Sequence, residues 1–521
     1  MAPAAKSSGA MPFINSTGTK KPDPELRKLI RSHVMKGKNR GRILRPNYQK
    51  SVELEVIVEP DRKTPKIDNE GSWGLVVPEY LPTIPRKVGS ELSLTRFADK
   101  IDEPTVNTII EFSTIAKKAL FPLESCINFG PKTRAWLEAL TVDAAYLHAM
   151  AFSAQGYFDL RCGRAPSNST ALTDPHVVKT LRLLRERLET VNHGDMMQFL
   201  SRTASIVLCL AFQAHMTGDF HAARHHIVGL RRIVDLAGGF EALRDNAKVV
   251  VEILRCDIGM ALHSGTHPLF FSDLAREPYW PYPNFSAHAS DPSWPPLDSV
   301  EDEPFLEILD ADIATAWRVT KRFAILVNHA AEMQSKLPQD YLLDTMASVT
   351  YRLLHKSSQF PPNSLDEAMR LGILVFGSSI FLQWAGVRLP YTHFPAVYRD
   401  CLVNLNLKSL DLLPHTRTGT PTPGDHDSSS SDDGNNVSSS PPLWSSQLLL
   451  WLLTIGHISI FDSSDGDTWL KPWLRVNLDL CGVRSWSAMR GVLGSFMWVG
   501  IVHDVPGKSL FNSTMSTSPY S

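Results

Sequence analysis

Four histidines lie close together at His215, His221, His225 and His226, and His221 and His225 fall one helical turn apart, a spacing at which two imidazoles can share a zinc ion. No third ligand stands at a recognisable distance along the chain, so these residues read as helix-face and packing groups, and the sequence implies neither a metal nor a cofactor. Six cysteines (Cys126, Cys162, Cys209, Cys256, Cys401, Cys481) are spread without a Cys-x-x-Cys pair, as expected for reduced, mostly buried thiols of a cytosolic or nuclear protein. "HDVPGKSL" (His503 to Leu510) contains Gly-Lys-Ser, but a phosphate-binding loop needs glycine where Val502 stands, and Gly500 is out of register. "DSSDGDTW" (Asp462 to Trp469) has the composition of a calcium loop without its alternate carboxylates or closing glutamate, so it reads as a capped turn. With no Gly-x-Ser-x-Gly, His-Glu-x-x-His or Gly-x-Gly-x-x-Gly, no catalytic constellation is legible and the chain reads as non-catalytic.

The remaining chemistry is charge. Lys20 to Lys50 holds 11 Lys+Arg against 2 Asp+Glu, a local +9, whereas the whole chain of 521 residues carries 53 against 54 and a net −1. The rest is therefore at −10, and the asymmetry is regional. Arg27, Lys28, Arg31, Lys36, Lys38, Arg40, Arg42 and Arg45 are the candidate contacts for an import receptor or for phosphates. No aromatic residue interleaves them, so base stacking is not supported. A solvated tail or a partner-binding helix stays open, because Leu26, Leu29, Ile30 and Val34 share one helical face.

The elements that must carry these groups are helical. Residues 1–50 are expected to be a mostly disordered basic tail and 51–104, rich in proline, an extended connector. Over 105–414, runs such as "RAWLEALTVDAAYLHAMAFSAQGYF", "MQFLSRTASIVLCLAFQAHMTG" and "NAKVVVEILRCDIGMALHSG" repeat apolar residues at i, i+3, i+4 and i+7. The stretch 415–442 is Ser-rich with Val437 as its one large apolar side chain, so it is expected to be a disordered insertion. Residues 443–521 return to helices expected to pack on the same body. Two apolar stretches, 371–387 and 448–461, fall short of the roughly 20 residues a bilayer requires and read as core helices, with no membrane partner. The fold class is all-α: a multi-helix bundle of packed hairpins. "MAPAAKSSGAMPFINSTG" lacks a signal-peptide pattern, which favours an intracellular location.

The segment Gly218 to Phe240 has its own internal logic: Asp219 can cap a helix, Ala223, Ile227, Leu230 and Val234 bury one face, and Gly238-Gly239 can supply the left-handed turn that ends it, leaving Phe240 to fold back. "HHIVGLRRIVDLAGGFEAL" (His225 to Leu243) resembles the His-Leu-x-Gly-Leu and Gly-Gly stretch of the fungal-specific transcription factor domain, with His226, Gly229, Leu230, Gly238 and Gly239 as the matching residues. "PFINSTGTKKPDPELRKLIRSHVMKGKNRGR" is similar to a leader on proteins that carry this domain without a zinc cluster, and the closing "WSAMRGVLGSFMWVGIVHD" is similar to the family's C-terminal helices. Ala222 and Ala223 stand where an aromatic residue commonly precedes the motif, and the six-cysteine zinc cluster that reads DNA is absent.

The resemblance implies a nuclear regulator of transcription, with a secondary-metabolite or nutrient pathway as its field. It implies protein partners or a DNA-bound co-regulator, and weak, non-specific contact with DNA at most. A small-molecule effector is left unspecified. The readings kept beside it are an interaction scaffold without a promoter role and a helical enzyme whose site is assembled from distant residues. Deleting residues 20–50 from a fluorescent fusion should abolish nuclear accumulation, because a dense lysine and arginine cluster is what import receptors read; unchanged imaging would remove the import role.

Overall fold

The computed structural model describes residues 95–116, 121–129, 135–162, 164, 174–189, 196–285, 303–382, 393–405, 443–461 and 463–516, all within one compact unit spanning 70–521. The basic segment with Arg27, Lys28, Arg31, Lys36, Lys38, Arg40, Arg42 and Arg45 lies outside them, as does the Ser-rich stretch. Among the described residues the fold is all-α, and the strands are a two-residue parallel pair, Ile127–Asn128 with Leu337–Pro338.

Helix α1 (Glu103–Glu111) begins where Asp102 accepts the Thr105 N–H at 2.8 Å. The apolar run from 134 to 158 forms two helices, α2 (Ala135–Val142) and α3 (Ala144–Arg161), because Asp143 leaves helical geometry at φ −129°. Its carboxylate caps Tyr146 N–H at 3.1 Å and pairs with Arg187 on α4 (Pro175–Glu189). A side chain that accepts the N–H three residues on occupies the N-cap position, where the backbone is not helical, and the break follows.

Helices α5 (Met196–Met216) and α6 (Phe220–Ala237) make the most extensive helix pair of the molecule. Asp219 accepts the Ala222 N–H at 2.9 Å, and Gly238 and Gly239 end α6 at φ 90° and 93°, which a side chain would oppose. Phe240 opens the single turn α7 (Phe240–Leu243), which packs against α6, and lays its ring 4.8 Å from that of Phe270. Part of α5, Phe199–Met216, is long and apolar enough to cross a bilayer by composition, but half of it is buried inside the protein, where α5 packs on α3, α6 and α8 (Ala247–Ser264).

Residues 265–285 are irregular and largely exposed, but Phe270, Phe271, Trp280 and Phe285 are buried in the core. They hold because the Asp257 carboxylate on α8 accepts N–H bonds from Leu269 (2.8 Å) and Phe270 (3.1 Å), and Glu277 accepts one from Phe271 (2.7 Å). The chain continues through α9 (Ala311–Glu332), α10 (Gln339–His355) and α11 (Leu365–Gly377), which runs into a π-helical turn at Ser378–Leu382, and then α12 (His393–Asn404).

Helix α13 (Leu443–Ser459) is apolar all round, so it is stable only when covered on every side. It packs against α11, α14 (Ser463–Leu480), α15 (Trp486–Ser495) and α16 (Gly500–Ser516). The Trp451 indole donates to the Met497 carbonyl at 2.6 Å and its ring meets Trp317 at 5.2 Å. Residues 371–382 and 448–461 are buried throughout, as core helices should be. The Gly-Lys-Ser at 507–509 lies within α16 and not in a phosphate-binding loop, and the acidic stretch, read from sequence as a capped turn, is helical from Ser463.

Two helical glycines should respond in opposite directions to alanine. A Cβ at Gly456 would lie 2.7 Å from Phe461 Cε2 and 2.8 Å from Tyr398 Cε1, whereas one at Gly491 meets nothing within 4 Å. Gly456→Ala should lower stability by about 1–3 kcal/mol through overpacking, and Gly491→Ala should raise it by about 0.5–1 kcal/mol through helix propensity. Urea midpoints of the two variants check this, and a rise for Gly456→Ala would mean that α12 and α13 are not in tight contact.

Candidate functional site

The residues of the motif shape the α5–α6 hairpin and do not converge on a reacting centre. Leu230 is fully buried, Gly229 faces open space, and Gly238 and Gly239 form the turn. His226 is half-buried, and burial, reinforced by the neighbouring His225, pushes its imidazole below the usual histidine range. His221 and His225 are exposed with ring centroids 4.3 Å apart. Among the described residues no group of three or more His, Cys, Asp or Glu could hold a metal ion.

The hairpin does, however, wall a cavity of about 70 Å³ between α5, α6, α8 and the end of the π turn. Ala211, Phe212 and His215 face it from α5, Ile227 from α6, Arg255, Cys256 and Met260 from α8, and Leu382 from the turn. Helix α8 is apolar along most of its length, so two charged residues inside it, Arg255 (7% exposed) and Asp257 (2%), must find partners in the core.

Arg255 finds most of them. Its Nη1 donates to Glu124 Oε1 at 2.8 Å and Glu252 Oε1 at 3.0 Å, its Nε donates to the Phe381 carbonyl, and its guanidinium lies 3.9 Å from the Phe121 ring centroid. Lys248 pairs with the second oxygen of Glu124. Burial opposes ionisation of Glu124, but Arg255 and Lys248 overcome it and hold the carboxyl below its ordinary value. Arg255 Nη2 is buried and makes no hydrogen bond.

His215 is the second unsatisfied group, with a buried Nδ1 that has no partner. Burial, helped by His263 at a ring distance of 5.6 Å, pushes its imidazole down to about 4, so it is neutral at pH 7. Burial and then the Glu252 carboxylate push the Cys256 thiol far up, so it is no thiolate nucleophile. Of the clustered histidines, His215 alone borders the cavity. Arg255, Glu124 and Glu252 form no motif; the available signal was three charged residues, Glu252, Arg255 and Asp257, inside the apolar run from Val249 to Leu262.

A buried serine and histidine also meet, at Ser379 and His503, with 2.8 Å between Oγ and Nε2. His503 Nδ1 accepts the Val499 N–H at 3.0 Å, so the proton sits on Nε2 and is donated to the serine. Ser379 donates in turn to the Phe376 carbonyl at 2.6 Å. The histidine cannot act as base toward that hydroxyl, and the pair ties the π turn to α16.

No family model matches the chain, and no curated protein or solved structure matches it.

The neutral His215 generates a pH dependence. An unfolded histidine titrates near 6.5 and the folded one near 4, so between those values the unfolded chain binds more protons and stability falls as the pH falls. Between pH 7 and pH 5 this one residue should cost roughly 2 kcal/mol. His215→Leu should lose less stability on acidification than the parent by about that amount in urea titrations; identical slopes would mean that the ring is solvated.

Proposed function

We propose that the chain is a non-catalytic nuclear transcriptional regulator of fungal type whose helical body receives a small effector or a protein partner. The observation that supports this reading is the cavity itself: the hairpin bearing the family-like motif forms one wall, and Arg255 and His215 are among the residues that line it. The raised thiol of Cys256 and the lowered imidazole of His215 support holding over reacting, since a nucleophile and its base need the opposite shifts.

The scaffold reading draws on a second observation. Trp473, Val476 and Leu480 on α14 stand at helical spacing and are 37%, 56% and 60% exposed, an apolar stripe suited to a protein partner. Docking there is compatible with regulation, because a chain without a zinc cluster needs a DNA-bound co-regulator to choose promoters.

Chromatin immunoprecipitation of the tagged protein should recover discrete promoters, and a titration of the purified protein against promoter and random duplexes at two salt concentrations should find weak binding that falls steeply with salt and ignores sequence. Specific recognition exceeds non-specific binding by about 10³ or more. Absence from all promoters would leave the scaffold reading, and tight selective binding by the isolated protein would place a DNA-reading element in the chain.

A further inference from the structure

A second pocket, of about 140 Å³, lies between α9 and the chain that runs from α15 into α16. Lys321, Ala324, Ile325, Asn328 and Glu332 recur along one face of α9 at helical spacing and form one wall. Arg490, Gly494, Phe496, Met497 and Trp498 form the other. The lining has a buried part and an open part: Lys321, Ala324 and the residues 496–498 are buried, whereas Glu332, Arg490 and Gly494 are exposed and make the mouth.

The polar groups of the buried part already have partners. Lys321 donates to Glu303 and to the Ser495 carbonyl, and Asn328 donates to the Trp498 carbonyl at 2.6 Å while accepting the Gly500 N–H at 2.9 Å. What remains there for a ligand is apolar surface at Ala324, Ile325, Phe496 and Met497. The mouth is different. Arg490 donates from Nε to Asp504 at 2.9 Å, its side chain is 50% exposed, and among the described residues no acceptor reaches its two terminal nitrogens. Glu332 forms no ion pair among the described residues, and as the last residue of α9 it adds its charge to the negative end of the helix dipole. The two side chains act on each other across the mouth: the Asp504 hydrogen bond chiefly, and the Glu332 carboxylate in addition, raise the Arg490 guanidinium above its ordinary value.

A carboxylate alone at this mouth would sit beside Glu332, and an ammonium alone would sit beside Arg490, so either meets a like charge. A molecule with both charges on neighbouring atoms meets an opposite charge at each end, and its hydrogen bonds are charge-assisted on both sides. An engineered cavity of about 150 Å³ admits benzene, so one of about 140 Å³ takes a branched side chain and the carbon that bears it while the charged groups stay at the mouth. The geometry points to a binding site for a free α-amino acid with a small apolar side chain, its carboxylate accepting from the terminal nitrogens of Arg490, its ammonium donating to Glu332 and its side chain lying against Ala324, Ile325, Phe496 and Met497. The pocket shares no lining residue with the cavity walled by the α5–α6 hairpin, and the assignment does not depend on the regulatory reading.

Four molecules with the same branched body separate the alternatives: L-valine, isovalerate (no ammonium), isobutylamine (no carboxylate) and isovaleramide (uncharged). With the purified full chain at pH 7 and low salt, saturation-transfer NMR and thermal melts should show L-valine binding and raising the melting temperature with concentration. The other three should bind more weakly by about fivefold or more. Glu332→Gln and Arg490→Gln alter exposed side chains, and Trp498 Nε1 still donates to Asp504 at 2.7 Å when Arg490 is replaced, so both variants should fold. Each should weaken L-valine by about fivefold or more. Glu332→Gln should leave isovalerate at least as well bound as in the parent, and Arg490→Gln should do the same for isobutylamine, because each removes the like charge. If neither variant folds, the ligand series on the parent protein decides alone. Binding of any of the three analogues as tight as that of L-valine, unchanged L-valine binding in either folded variant, or no L-valine binding by the folded parent would each overturn the assignment.

Discussion

A guanidinium cannot shed its proton inside a protein, so burying Arg255 obliges the chain to bring charge and carbonyl groups to it. Those partners come from far along the sequence. Glu124 belongs to a 3₁₀ turn at Pro122–Cys126 and lies 131 positions away, and the Phe381 carbonyl belongs to the π turn 126 positions away in the other direction. Phe121 stacks on the remaining face. Removing one partner of such a group leaves an uncompensated charge in the core, at a cost of about 3–5 kcal/mol. The N-terminal turn, the central helix α8 and the end of α11 are held in one arrangement by this requirement.

The π turn is where that arrangement meets the rest of the core. Phe381 takes up Arg255, and Ser379, two residues earlier, accepts from His503 on α16. Helix α16 also packs on α13, whose lack of a polar face makes it the most demanding element to cover. Glycine at 456 lets Tyr398 and Phe461 close on α13, and the indoles of Trp317 and Trp451 fill the centre. A helix that follows the Ser-rich stretch in sequence thus lies inside the same core as the helices before it.

The helices were legible from period alone, and so were the Asp219 cap and the Gly238-Gly239 stop, because each depends on residues within a few positions of one another. The break at Asp143 was not, since nothing local distinguishes a capping aspartate from a surface one until Arg187 is brought beside it. The ring partners of Phe240 were not legible either: Phe270 and Trp280 lie in a segment with no period to read. The cavity was least legible. His215 could be flagged by its neighbours in sequence, but the guanidinium that gives the site its chemistry is defined by Glu124 and Phe381, which only the fold brings to it.

The cavity lies between two helices that share a further load. Arg231 on α6 donates to the Leu269 carbonyl at 3.2 Å and pairs with Glu277, which in turn holds the Phe271 N–H. Asp257 on α8 holds the N–H groups of Leu269 and Phe270 and accepts the Tyr351 hydroxyl at 3.0 Å. The irregular stretch from Leu269 to Glu277 is therefore strung between α6 and α8, and its geometry follows their separation. Packed interiors resist gradual deformation, so a change in the separation of α6 and α8 acts on both anchors of that stretch at once. Through Tyr351, whose hydroxyl donates to Asp257, the same load reaches α10, so the irregular stretch joins α6, α8 and α10.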